Sequence, residues 1–315
     1  MGMRCLIVDD VHPVLFDLLE EASIAYDYRP EWAKEECIKA LPAYQGLIIR
    51  SKFRIDKQTI QTCSDLKFIG RAGAGLDNID IESLRENDIA LFHASEGNRV
   101  AVAEHTVGLI LALINNIVRA DKEVRNYSWN REENRGYELA SMTVGLIGYG
   151  FMGEETAKRL DSFGCTVLAY DKFKTNYSSR YAIESTLENI KEQADIISLH
   201  IPLNDDSRGW IDSDFIQSVK KPFWLINTAR GENVKLNDLL QGLSDGKILG
   251  AALDVMENEK VPNLSNEQLT VFNRLISCDT IILTPHIAGW TFESYKKISL
   301  VLGTKILNWS KGLNI

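Results

Sequence analysis

The sequence predicts an α/β chain folded as two doubly wound parallel-sheet domains, and three observations predict it. Its 315 residues are too many for one small core and fit two domains of ordinary size. Short apolar runs alternate with helical stretches along almost the whole chain, the pattern of strand–helix–strand crossovers. In the middle, Thr143 to Asp171, TVGLIGYGFMGEETAKRLDSFGCTVLAYD, reads as strand, glycine turn, helix, second strand and acid.

That central stretch carries the first chemistry. Thr143 to Ile147 is β-branched or aliphatic, and Gly148-Tyr149-Gly150-Phe151-Met152-Gly153 supplies G-x-G-x-x-G immediately before a helical stretch, Glu154 to Ser162. Gly148 permits the tight turn, Gly150 lets backbone approach a pyrophosphate on the helix N-terminus, and Gly153 lets the helix sit close to the strand. Thr166 to Tyr170 is the next strand, and Asp171 stands 18 residues beyond Gly153, near the roughly 20-residue offset of an acid that meets a ribose 2′-hydroxyl. An anion there repels a 2′-phosphate, so the expected cofactor is NAD. Lys172 and Lys174 follow at once and leave room for NADP.

From the N-terminus, Arg4 to Val8 is a strand, His12-Pro13 opens a helix with Val14, Leu15, Leu18 and Leu19 at helical spacing, and Gly46 to Ile49 is another strand. Leu66 to Ile69 and Ile89 to Phe92 extend the alternation, so residues 1 to 97 form a smaller doubly wound unit. No G-x-G-x-x-G follows its first strand, and it is expected to hold something other than the dinucleotide. Asn98 to Ala120 reads as one long helix with a wide apolar face; a dimer contact and an interior helix of one subunit are its two readings. Tyr127 to Leu139 is polar and reads as an exposed loop. After Asp171 come strands at Asp195 to Leu199, Phe223 to Ile226, Gly250 to Leu253 and Thr280 to Leu283, each followed by a chemically useful residue. Ligands of open α/β sheets bind beyond the carboxyl ends of strands, and this pattern nominates His200, Arg230, Asp254 and His286. Thr291 to Lys311 is a last amphipathic helix, expected to return to the first domain.

Composition narrows the class. Hydrophobic content of 45% with 25% charged residues is that of a soluble globular protein, and a net charge of −9 argues against a general nucleic-acid or membrane-surface binder. The five cysteines, Cys5, Cys37, Cys63, Cys165 and Cys278, show no C-x-x-C and no histidine at ligand spacing, so neither zinc nor a disulfide framework is expected. The N-terminus enters a strand with no charged-then-apolar leader, and the apolar run Val107 to Val118 falls short of the roughly 20 residues a bilayer needs. A cytoplasmic location is the expectation.

Ordered landmarks then resemble one family over nearly the whole chain: RAGAGLDNID from Arg71, NRVAVAEHTVGLIL from Asn98, the glycine motif, HIPL from His200, NTARGENV from Asn227, GKILGAALDV from Gly246 and TPHIAGWT from Thr284. The sequence resembles the D-2-hydroxyacid dehydrogenases, particularly their 3-phosphoglycerate dehydrogenase branch. The resemblance implies a Rossmann cofactor domain over residues 98–289, inserted in a smaller flavodoxin-like substrate domain of residues 1–97 and 290–315. It puts the catalytic residues at Arg230, Glu259 and His286. Cofactor contacts fall on Gly148, Gly150, Phe151, Met152, Gly153, Asp171, His200, Pro202, Thr228, Ala229, Arg230, Asp254, His286, Ala288 and Gly289. Substrate contacts fall on Arg50, Ser51, Arg71, Ala74, Gly75, Asn98, Arg230 and His286. The chemistry needs these types: oxidising a 2-hydroxy acid sends a hydride to nicotinamide and a proton to a base, and imidazole serves both directions near neutrality. A neighbouring Glu259 orients and charges it, and Arg230 grips a carboxylate through its fork of donors.

The resemblance further implies NAD, a small 2-hydroxy or 2-keto acid and a homodimer; the acidic charge leaves no nucleic acid or membrane partner expected, and, with the sequence ending at residue 315, neither is the regulatory domain that some phosphoglycerate dehydrogenases append, with its serine feedback. Arg50 and Arg71, with Lys52 and Arg54 nearby, match basic residues that meet a substrate phosphate in related enzymes. The leading expectation is therefore 3-phosphoglycerate and 3-phosphohydroxypyruvate in serine synthesis, with hydroxypyruvate or glyoxylate reduction as the alternative and dinucleotide sensing, as in corepressors of this fold, as a third. His12, His93 and His105 match no catalytic motif and are read as structural. The sequence departs from the family at Phe151, where arginine is usual, at Lys260 after the glutamate, where proline is usual, and at Trp290, where the residue is usually small.

Overall fold

A computed structural model describes residues 2–313; residues 1, 314 and 315 of the expected first domain lie outside the described residues. The chain divides into two compact units, Met1–Arg99 with Trp290–Ile315, and Val100–Gly289.

The first unit carries β1 (Arg4–Ile7), β2 (Ala25–Tyr28), β3 (Gly46–Ile49), β4 (Phe68–Arg71) and β5 (Ala90–His93) in one parallel sheet of order β2-β1-β3-β4-β5. Helices α1 (Val14–Glu21), α2 (Lys34–Ala40), α3 (Lys57–Gln61) and α4 (Ile81–Glu86) connect these strands. Order reverses between β1 and β3, the point where the loops after two strands diverge and leave a crevice. One face of the sheet is filled by Leu6, Leu47, Ile49 and Ile69 and the other by Ile7, Ile48 and Phe68.

Helix α5 (Ser95–Ile114) leaves this unit and enters the second. By length and composition it could cross a membrane, but Leu109, Ile110, Leu113 and Ile114 are buried in the second unit's core. The expected helix of residues 98–120 is in fact two, because α5 stops at Ile114 and α6 (Ile117–Arg125) starts after Asn116, which takes a left-handed φ of 55°. The returning loop imposes the stop: the Tyr137 amide donates to the Ile114 carbonyl, a group that a continuing helix would have claimed.

The second unit holds β6 (Thr143–Ile147), β7 (Thr166–Tyr170), β8 (Ile183–Glu184), β9 (Ile196–Leu199), β10 (Phe223–Asn227), β11 (Ile248–Leu253) and β12 (Ile281–Leu283), all parallel, ordered β12-β11-β10-β9-β6-β7-β8. The reversal falls between β6 and β9, the doubly wound dinucleotide-binding order. Helices α7 (Phe151–Leu160), α8 (Leu187–Gln193), α9 (Ser213–Ser218), α10 (Leu236–Ser244) and α11 (Asn266–Ile276) cover its faces. The last helix, α12 (Phe292–Ser310), belongs to the first unit, where Ile298, Leu302 and Ile306 pack among Ile7, Ile48 and Phe68. Two parallel sheets with flanking helices bear out the α/β reading.

Candidate active site

In the second unit β6 runs into Gly148, whose φ of 97° is closed to ordinary side chains. A Cβ there would lie 2.4 Å from the His200 carbonyl oxygen, and one at Gly153 would lie 2.1 Å from the Gly148 oxygen, so strand, turn and helix meet without side chains between them. At Gly150 a Cβ would meet nothing within 4 Å. The space above the α7 N-terminus is therefore open to a ligand. Helix α7 begins at Phe151, three residues earlier than the sequence suggests, so Phe151, Met152 and Gly153 form its first turn and their amides point outward.

Asp171, at the end of β7, accepts the Tyr149 amide at 2.8 Å on one oxygen and the amides of Phe173 and Lys174 at 2.9 and 3.1 Å on the other. Burial pushes this carboxyl up, yet the amides outweigh it and hold Asp171 below the usual range. Lys172 is paired to Asp206 at 2.6 Å and Lys174 reaches the Tyr149 carbonyl at 2.8 Å. His200 lies 3.0 Å from the Ser198 hydroxyl through Nε2. Burial lowers it to about 4, which leaves the imidazole neutral at physiological pH. Gly148, Gly150, Asp171, His200 and Pro202 line a cleft of about 390 Å³, and this open, amide-rich, acid-edged space fits a dinucleotide.

A second group assembles beyond β10, β11 and β12. Asn227, fully buried, donates to the Arg230 carbonyl at 2.8 Å and accepts the Ala229 amide at 3.0 Å, which shapes the turn through Thr228. Arg230 donates to the Ala229 carbonyl at 2.7 Å. Gly231 allows the loop after β10 to touch the loop after β11, since a Cβ would stand 1.9 Å from Met256 backbone. Asp254, 1% exposed, accepts the Ile287 and Ala288 amides at 2.9 and 2.8 Å, and its backbone carbonyl accepts the His286 amide at 2.8 Å. His286 has a φ of 56°, a left-handed conformation uncommon outside glycine.

His286 Nδ1 is 2.9 Å from the Glu259 carboxylate. An ionised carboxylate has no proton to give, so Nδ1 carries the hydrogen and Nε2 is left to exchange one. Glu257 instead faces α10, where it accepts the Leu236 amide, and burial raises its carboxyl. The sequence reading missed Asn227, Gly231 and Thr284, and the contact of Thr284 with Asp254 joins residues 30 apart with no motif to signal it.

In the first unit the order reversal brings β1 and β3 side by side, and past their ends stand Asp9, Asp10 and Arg50. Asp9 accepts the amides of Arg50, Ser51 and Lys52 at 2.6, 3.1 and 3.2 Å. The Arg50 guanidinium lies 4.2 Å over the Trp290 ring, and burial lowers it against the opposing pull of Asp9, Asp10 and Tyr295. Asp10 accepts the hydroxyls of Tyr28 and Tyr295, both at 2.9 Å, and burial followed by this bond pushes Tyr295 up to about 12. Lys52 turns to the carbonyls of Pro30 and Trp32, and Arg54 is exposed. The basic loop thus does not converge on one point.

Arg71, opposite Ile49 on the neighbouring strand, folds over Gly73, where a Cβ would collide with its Nη1. The Ala74 carbonyl accepts from Ser95 at 3.5 Å and Gly75 lies in the same turn. The buried Asn98 Oδ1 has no hydrogen-bond partner among the described residues. Asp9 and Asp10 escaped the sequence reading because they sit 41 and 40 positions from Arg50 with no pattern linking them.

The family described as D-isomer specific 2-hydroxyacid dehydrogenase, NAD binding domain, matches residues 107–288. The chain is 31% identical over 315 residues to the D-3-phosphoglycerate dehydrogenase of Archaeoglobus fulgidus, covering 99% of this chain and 58% of that protein. It therefore spans little more than half the length of that relative. It is 34% identical over 275 residues to the hydroxypyruvate reductase of Thermotoga maritima, covering 87% of each. The solved D-lactate dehydrogenase of Aquifex aeolicus, complexed with NAD and lactic acid, superposes with a TM-score of 0.84 at 26% identity, covering 98% of this chain and 96% of that one. The cofactor is a nicotinamide dinucleotide.

Proposed function

This chain belongs to the D-isomer specific 2-hydroxyacid dehydrogenase family, and we propose that it interconverts a D-2-hydroxy acid and its 2-keto acid with NAD. The His286–Glu259 pair, with Nδ1 held and Nε2 free to exchange a proton, carries the reading. When bound, the nicotinamide supplies the hydride acceptor or donor. The pyrophosphate would rest on Gly148, Gly150, Phe151, Met152 and Gly153, the ribose on Asp171, and the nicotinamide end near Thr228, Ala229, Asp254, Ala288 and Gly289, with His200 and Pro202 as a wall.

In the oxidative direction His286 Nε2 takes the hydroxyl proton as the carbon-bound hydride departs; in reduction it returns that proton to the new alkoxide oxygen. Glu259 stabilises the imidazolium through the Nδ1 hydrogen, and Arg230 holds the carboxylate and polarises the reacting oxygen. Asp171 favours NAD over NADP, and the engagement of Lys172 and Lys174 elsewhere supports that preference. Residues 98–289 serve as the cofactor domain, and residues 1–97 with 290–315 as the substrate domain.

Two substrate classes compete. The phosphorylated pair, 3-phosphoglycerate and 3-phosphohydroxypyruvate in serine synthesis, is supported by the names of several relatives and by Arg50 and Arg71. The surroundings of Arg50 favour the other, because a dianion arriving there meets Asp9 and Asp10 and finds one guanidinium face covered by Trp290. An unphosphorylated short 2-keto acid, of the hydroxypyruvate or glyoxylate type, is the substrate this geometry supports best. A cytoplasmic homodimer fits the composition and α6, which buries none of its residues and leaves Ile117, Val118 and Val124 about half exposed. His286→Ala tests the reaction: kcat should fall by about 10²–10⁴-fold while NADH still binds, and near-normal turnover removes His286 from the chemistry.

A further inference from the structure

We propose that His105 is a positioning residue for His286, acting through Thr284 and Asp254; the proposal rests on the dehydrogenase reading above. A left-handed backbone at a non-glycine residue is strained and persists only where its surroundings over-determine it. Around His286, Asp254 supplies three of the constraining hydrogen bonds, and the Thr284 carbonyl shares the His286 amide at 3.0 Å. Asp254 takes the His286 amide on its main-chain oxygen and the Ile287 and Ala288 amides on its carboxylate, so the turn that aims the imidazole at Glu259 hangs on Asp254.

The Asp254 carboxylate is itself buried, and a buried carboxylate needs donors to stay ionised and fixed. Thr284 Oγ1 donates to it, which commits that hydroxyl's only proton. Toward His105 Nε2, 3.1 Å away, Thr284 can therefore only accept, and His105 must carry its hydrogen on Nε2. The same nitrogen lies 3.6 Å from Asp254 Oδ1. That places His105 within ion-pair reach of the carboxylate. Its neighbour Thr106, on the same helix, is 3.0 Å from the Thr228 hydroxyl, so α5 braces the turn after β10 as well as the one after β12.

Two variants of this chain separate positioning from plain packing. His105→Leu removes the donor, and His105→Gln keeps an N–H of similar reach. With the 2-keto acid the wild type turns over best, kcat should fall about 10–100-fold in His105→Leu, as for a misplaced catalytic group, with KM little changed and most of the rate restored in His105→Gln. The ring resonances of His286 in the free protein, recorded by NMR, should leave their wild-type positions in His105→Leu and return to them in His105→Gln. If His105→Leu does not fold, Thr284→Val breaks the same relay and should produce the same losses. Wild-type kcat together with wild-type His286 resonances in the leucine or valine variant overturns the proposal. The NMR readout needs no turnover, so an inactive wild type would defeat the dehydrogenase reading while the resonances still decide the role of His105.

Discussion

Each unit carries, beyond the carboxyl ends of its strands, an aspartate that gathers three backbone amides, Asp9 at the order reversal of its sheet and Asp171 one strand away from its own. Asp171 takes those of Tyr149, Phe173 and Lys174; Asp9 takes those of Arg50, Ser51 and Lys52. What surrounds the two acids differs. Beside Asp171 the chain places glycine, and the room above Gly150 stays open. Beside Asp9 it places Arg50 under the Trp290 ring, with Asp10 fixed by two tyrosine hydroxyls. One reversal is shaped to receive a large anion, and the other spends its positive charge on neighbours of its own.

The largest effect expected from breaking this contrast is in the open half. Gly148→Ala forces a side chain into a left-handed turn against the His200 carbonyl. NADH affinity should fall about 100-fold, or roughly 3 kcal/mol, by fluorescence titration, and unchanged affinity would mean the turn is not the dinucleotide cradle. Next comes His200, which is half-buried beside that turn and depressed to about 4. An unfolded histidine titrates near 6.5, so between about pH 6.5 and 4 the unfolded state binds more protons and stability is lost as pH falls. Up to about 3 kcal/mol should disappear across that window. Denaturant melts of wild type and His200→Gln should converge at the acid end, and parallel curves would contradict the neutral imidazole.

The smallest effect belongs to the closed half. Asp10→Asn removes one negative charge near Arg50, an interaction of about 1 kcal/mol at a partly screened separation. The kcat/KM ratio of 3-phosphohydroxypyruvate to hydroxypyruvate should rise roughly fivefold, as that energy implies. A ratio that does not move would detach Asp10 from substrate choice.

The same contrast explains what the sequence made legible. The strand, glycines and acid from Thr143 to Asp171 could be read because backbone geometry there admits only glycine, and that demand is written in consecutive residues. Strands β6 and β7 match the expected bounds, and β9, β10, β11 and β12 differ from theirs by only one or two residues. Short elements such as β2 and β8, and helices of five to seven residues, carry too few apolar positions to show a period. The break at Asn116 escaped notice because Tyr137, far along the chain, claims the carbonyl that ends α5. Asp9, Asp10 and the stacking of Trp290 on Arg50 are likewise products of folding, joining residues that are neighbours only in space. A motif announces a backbone constraint; it does not announce which charges will neutralise each other.

The most direct test follows NADH consumption by the purified chain with glyoxylate, hydroxypyruvate and 3-phosphohydroxypyruvate side by side, repeated with NADPH. Turnover of the unphosphorylated acids with NADH is expected, with weaker use of the phosphorylated acid and little use of NADPH. A strong preference for 3-phosphohydroxypyruvate would show that Arg50 receives a phosphate despite its carboxylate neighbours. No turnover of any 2-keto acid would contradict the dehydrogenase reading itself and turn attention to dinucleotide sensing.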